Sequence, residues 1–186
     1  MSIVLRPARP ADGTALAHLH VRVWRHTYRD LAPAAAIAAL DEAMRLRRWT
    51  EILADPAKSW GALVAESDGR MAGFGLCGAP GEAALGERGE VKFLYVDTEH
   101  ARRGLGRRLL AAMAELLQGR GYRGLALGVV VGNDPAIAFY EAMGGRRIGR
   151  YTDPGPIWRS DNFVYAWDDL ASLVSSASAP SSGPPA

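Results

Sequence analysis

The stretch from Glu90 to Leu117 restricts the fold more than any other. It opens as EVKFLYV, an apolar and aromatic run that reads as a β-strand, and passes through DTEHARRGLG. It then continues into a segment in which Leu105, Leu109, Met113, Leu116 and Leu117 share one helical face. A strand that leaves through a loop rich in glycine and arginine and returns as an amphipathic helix requires a sheet with that helix laid across it. Gly119 and Gly121 mark the helix end.

The flanking segments extend this pattern. Residues 3–6 read as a short strand. Asp12 is placed to cap a helix reaching about Tyr28, with Leu16, Leu19 and Val23 on one face. His20, Trp24 and Tyr28 recur every four residues on another face, a stripe of three rings with polar tips. Residues 33–53 are rich in helix formers and predict one helical region that stops before Asp55 and Pro56. The period then changes: residues 62–66 and 71–76 are short apolar runs around Asp68 and Gly69, a hairpin signal. Residues 125–131 are almost continuously aliphatic, as expected of a strand covered on both faces. Asp134 and Pro135 supply a cap and first residue for the helix AIAFYEAM, stopped by Gly144 and Gly145. Residues 146–151 and 163–167 give two last strands around the loop TDPGPIWRSDN. This order predicts an α/β fold, a mixed and mostly antiparallel central sheet of about seven strands with helices on both faces.

With 186 residues, 48% of them hydrophobic, the chain can bury one sizeable core, and residues 1–173 are expected to form a single domain. Residues 174–186, ending SSASAPSSGPPA, are too small and polar to bury surface and are expected to be disordered. The longest apolar stretch, PAAAIAAL, is far shorter than the roughly 20 residues that cross a bilayer, and MSIVLRPARP has no signal-peptide core; no membrane association and a cytoplasmic location are expected. Cys77, the single cysteine, lies in the apolar run FGLCG and reads as a small hydrophobe. The net charge is +2, and only Lys58 and Lys92 are lysine. Arginines are interspersed with carboxylates, which argues against a nucleic-acid partner. His18, His20, His26 and His100 lack ligand spacing, and no metal is expected.

The one dense cationic cluster is in ARRGLGRRLL. A loop between strand and helix concentrates unpaired backbone amides and the positive end of the helix dipole. Gly104 and Gly106 leave room for phosphate oxygens, and Arg102, Arg103, Arg107 and Arg108 add charge, so a pyrophosphate fits. Leu109 stands where a dinucleotide fingerprint needs glycine, and a P-loop lysine is absent. Taken alone, the same loop could be a turn before a solvated arginine face.

LYVDTEHARRGLGRRLL followed by NDPAIAFYEAMGG resembles the two central motifs of the GNAT acetyltransferases. The opening IVLRPARPADGTALAHLHVRVWRHTYRDL resembles the first strand and helix of that superfamily, so the likeness covers nearly all of the chain before the tail. It implies an N-acetyltransferase that moves acetyl from acetyl-coenzyme A, without a metal, to a primary amine of a small molecule or peptide by direct attack in a ternary complex. A catalytically silent acyl-coenzyme A-binding or sensor module on the same fold is the alternative. By the same resemblance Leu94, Tyr95 and Val96 hold the pantetheine arm, and the amides of Arg102, Arg103, Gly104, Leu105, Gly106 and Arg107 hold the pyrophosphate. Asn133 and Tyr140 belong to the cofactor site, with Tyr140 the acid at the thiol. Trp24 and Tyr28 are candidates for the acceptor pocket, with the loop 152–162 that carries Trp158, Arg159 and Asp161. A homodimer is common in the family. Ala101 departs from the usual glutamine or arginine, which removes a side chain but no amide. The ribosomal-protein branch carries a glutamate base where this chain has Gly128, so that mechanism does not transfer. The histone-lysine branch places its glutamate at a position matching Glu90, the candidate base. A base or a desolvating pocket is needed, because an amine of pKa near 10.4 is only about one part in two thousand neutral at pH 7.

Overall fold

Alternating apolar residues in the strands face two different sets of helices. In the computed structural model, which describes residues 3–178, β1 (Ile3–Pro7), β2 (Ala62–Ser67), β3 (Arg70–Gly78), β4 (Gly89–Val96), β5 (Leu125–Val130), β6 (Arg146–Asp153) and β7 (Ser160–Trp167) form one sheet. Their order is β1-β2-β3-β4-β5-β7-β6, and only β4 and β5 run parallel. The sheet is therefore mixed and mostly antiparallel, as the sequence predicts. Asp68 and Gly69, both at positive φ, close the hairpin between β2 and β3.

On one face, α1 (Gly13–Tyr28) and α3 (Glu42–Ala54) bury Leu16, Leu19, Val23, Trp49 and Ile52 against Ala62, Val64, Phe74 and Leu76. On the other, α5 (Leu105–Gly119) lays Leu105, Leu109, Leu110, Met113 and Leu117, all essentially inaccessible, against Ala65, Ala72, Leu125 and Leu127. Leu110 and Ala114 widen the buried stripe beyond the predicted one, and Leu116 lies at its margin. Truncating any one of these leucines to alanine would cost about 2–5 kcal/mol.

Four local readings change. The helical region 33–53 is two helices, α2 (Ala34–Ala39) and α3, because Leu40 is extended. Its carbonyl accepts from Arg25 Nη2 at 2.5 Å, and Asp41 starts α3 by accepting from Met44 N at 2.6 Å. A further turn, α4 (Pro56–Ser59), is capped by Asp55 with proline at its start. Asp12 precedes α1, but its carboxylate is bound by Arg6 at 2.8 Å and by Arg9 N at 2.6 Å and caps nothing in that helix. In α6 (Asp134–Ala142) the cap is Asn133, not Asp134. Finally, α7 (Leu170–Ser178) buries Leu170 and Leu173 against α5, so residues 174–178 are helical where disorder was expected. Residues 179–186 of that stretch lie outside the described residues.

Candidate functional site

Strands β4 and β5 pair only at Gly89 with Leu125 and at Glu90 with Ala126. Beyond that point they separate, while β4 stays paired with β3 as far as Val96 and Gly73. Asp97 N donates to Ala72 O at 2.9 Å, which fixes the antiparallel alternation along this part of the ladder. Phe93 and Tyr95 therefore spend their main-chain groups on β3, and those of Leu94 and Val96 point into the wedge opened by β5. The side chains divide the other way. Leu94 and Val96 pack toward α5, and Phe93 and Tyr95 toward α1.

The wedge leads to the start of α5. Asp97 is buried, pairs with Arg22 at 2.5 Å and holds the turn Thr98–His100. Arg102 and Gly104 then take positive φ, and Gly104 is the residue that turns the chain into α5. The first helical bond runs from Arg108 N to Gly104 O at 3.1 Å, so the amides of Leu105, Gly106 and Arg107 precede the ladder. A Cβ on Gly104 would meet nothing within 4 Å, which leaves the loop surface open. Arg102 and Arg103 are exposed, and Arg107 is half-buried. Arg108 is not part of this cationic group: its Nη2 donates to Ile3 O at 3.0 Å and ties α5 to β1.

Four side chains meet at the open end of the wedge. The Tyr28 hydroxyl lies beside the side chains of Tyr95 and Asn133, which brings α1 to β4 and to the β5–α6 junction. Asn133 Oδ1 accepts from Ala136 N at 3.4 Å, so the side chain that caps α6 is the one beside Tyr28. Tyr140 is 9% exposed, with its ring against Phe139, Tyr165 and Trp167. Burial raises the phenols of Tyr28, Tyr95 and Tyr140 above the usual tyrosine value, so all three are protonated donors at neutral pH. Trp24, itself buried, packs on Tyr28 at 5.0 Å between ring centroids, and Trp158 meets Tyr28 at 5.8 Å and Trp24 at 6.3 Å. His20 belongs to the core instead: it is buried, its Nδ1 accepts from Trp49 Nε1 at 3.3 Å, and burial keeps it neutral.

Glu90 occupies the last paired position before the wedge. Its Oε2 accepts from Gly81 N at 2.7 Å and from Lys92 Nζ at 2.5 Å, and no bond to Oε1 is made among the described residues. Gly128, two residues past Ala126 on β5, has Tyr151 in the place of a side chain: a Cβ there would lie 2.2 Å from the Tyr151 hydroxyl. Tyr151 reads in the sequence as an ordinary strand aromatic. The available signal was a glycine inside the aliphatic strand LALGVV, which often marks close approach of another group. Cys77 is buried away from the wedge, its thiol pushed up to about 12 by burial. Among the described residues no three His, Cys, Asp or Glu side chains are grouped to hold a metal ion, and no helix is long and apolar enough to cross a membrane.

The sequence matches the acetyltransferase (GNAT) family over residues 21–145. It is 28% identical over 172 residues to the uncharacterized N-acetyltransferase YuaI of Bacillus subtilis (strain 168), covering 92% of this chain and 96% of that protein. The fold resembles the PaiA N-acetyltransferase of Thermoplasma acidophilum, whose crystal structure is a complex with coenzyme A. The TM-score is 0.69 at 19% identity, over 90% of this chain and 99% of that one. It also resembles YncA of Salmonella typhimurium, a putative acetyltransferase solved with its cofactor acetyl-CoA. Here the TM-score is 0.65 at 19% identity, over 98% and 100% of the two chains.

Proposed function

The chain belongs to the GNAT acetyltransferase family, and from that premise we propose that it transfers acetyl from acetyl-coenzyme A to a primary amine of a small molecule or peptide by direct attack in a ternary complex. The observation that carries this reading is the wedge between β4 and β5, lined by the main chain of Leu94 and Val96 and ending at the unpaired amides of α5. A long ligand with an anionic end suits such a site. Extended strand groups hold its arm, and the amides of Leu105, Gly106 and Arg107, with Arg102 and Arg103 nearby, meet its pyrophosphate.

Acetyl-coenzyme A supplies the activated thioester. The Val96 amide, directed into the wedge, holds the carbonyl oxygen as charge develops on it. Glu90 takes a proton from the acceptor ammonium on Oε1, directly or through water, so that the nitrogen lone pair can form the new N–C bond. Tyr140 donates its phenolic proton to the sulfur as the C–S bond breaks, and the second proton, which the nitrogen sheds on becoming an amide, returns to Tyr140; burial keeps the phenol protonated beforehand. Tyr28, Trp24 and Trp158 form an aromatic wall beside the acceptor.

The contacts of Glu90 with Lys92 and Gly81 suit a structural carboxylate equally well, and they favour a second reading, a silent acyl-coenzyme A-binding module. Release of free thiol from acetyl-coenzyme A, measured with a panel of primary amines, separates the two. Thiol release that depends on an acceptor is expected; saturable acetyl-coenzyme A binding with no thiol release from any amine would leave the silent module.

A further inference from the structure

Strand β5 carries no side chain at Gly128, and this is the point where Tyr151 crosses from the edge strand β6. A Cβ on Gly128 would lie 2.2 Å from the Tyr151 hydroxyl oxygen and 2.9 Å from Cε1 and Cζ, so the phenol end rests on the β5 backbone. The place is beside the wedge. Ala126 pairs with Glu90, and side chains at 126 and 128 emerge on the same face of the strand, which puts the Tyr151 hydroxyl one step from Glu90.

Other carboxylates share that face. Asp153 is two residues beyond Tyr151 on β6 and emerges on the same side. Leu85 packs with Ala126, Val164 and Tyr151, which brings the loop carrying Glu82 over them. Burial first, then the charges of Asp153, Glu90 and Glu82, raise the Tyr151 phenol above its usual range. Lys92 neutralises one of them. Arg147 and Arg150 point the other way and stack on Phe163, whose side chain belongs to the α5 face of the sheet.

We infer that Tyr151 is a positioning residue for the acceptor amine, its hydroxyl accepting an N–H from the substrate, and that Glu82, Glu90 and Asp153 make this end of the cleft select a cationic acceptor. The inference rests on the acetyl-transfer reading above. Gly128 is needed because any side chain there would drive the phenol off its seat. The aromatic rings of Trp24, Tyr28 and Trp158 add a wall suited to a cation.

The test compares 1,4-diaminobutane, butylamine and 4-aminobutyrate, which share one primary amine and differ in the charge at the far end. The wild-type protein is expected to show a KM for 1,4-diaminobutane at least about tenfold below that for 4-aminobutyrate. Tyr151→Phe should raise the 1,4-diaminobutane KM about tenfold, the loss of one hydrogen bond to a charged group, with unchanged acetyl-coenzyme A affinity and melting temperature. Gly128→Ala should raise that KM similarly, yet add nothing in a Tyr151→Ala background, where the clash is gone. An unchanged KM in Tyr151→Phe, a preference for 4-aminobutyrate, additive effects at 128 and 151, or no transfer to any of the three amines by protein that binds acetyl-coenzyme A would each overturn the inference. Failure to bind acetyl-coenzyme A would instead remove the reading beneath it.

Discussion

The two oxygens of Glu90 have unequal surroundings: Oε2 takes both donors, Gly81 N and Lys92 Nζ, and Oε1 takes none among the described residues. If Oε1 is the base, Glu90→Gln should cost about 10²–10⁴ in turnover, the range for general-base catalysis, with acetyl-coenzyme A affinity almost unchanged. The deficit should shrink as pH rises toward the acceptor's own pKa, because an amine that arrives neutral needs no base. A pH–rate profile with chemistry limiting checks this, and full turnover of the variant at pH 7 would make Glu90 structural. Legibility at this scale followed how local each role is. Asn133 and Tyr28 were picked out from motif and spacing, and they do meet at the wedge. Tyr151 was missed because its position depends on an empty site 23 residues earlier on another strand. Arg108 was misgrouped with its neighbours because no sequence pattern announces a bond to Ile3 O across the sheet.

Among the elements, periodicity identified every strand, and errors fell where a tertiary contact overrode local preference. The run 33–53 has good helix formers throughout, yet Leu40 is fully buried in an extended conformation, with its carbonyl held by Arg25. The new helix then depends on Asp41. Asp41→Ala removes the acceptor for Met44 N and should destabilise the protein by about 1 kcal/mol. A thermal melt should show a fall of about 2–4 °C for a chain of this size, with acetyl-coenzyme A affinity intact. An unchanged melting temperature would mean that the break at Leu40 is set elsewhere. The C-terminal helix was hidden by composition, since serine and alanine surround the leucines that α5 buries.

For the whole molecule, the site follows from topology. An otherwise antiparallel sheet has one parallel pair, and that pair holds for only two residues before the strands part. The wedge therefore opens beside the strand that feeds α5, and the unpaired main chain of β4 and the helix start border the same opening. The motif order in the sequence implied a mixed sheet, but no local pattern announces where β4 parts from β5. On the proposed function, this wedge and the start of α5 bind acetyl-coenzyme A. Isothermal calorimetry of acetyl-coenzyme A with the wild-type protein, Gly104→Ala and Gly104→Glu tests it most directly. Both variants carry the same backbone strain at φ 78, about 1–2 kcal/mol, and only the second places a carboxylate at the anion site. One binding site in the wild type, retained in Gly104→Ala and lost in a folded Gly104→Glu, is the predicted result; equal affinity in all three, or no binding heat in the wild type, would contradict it.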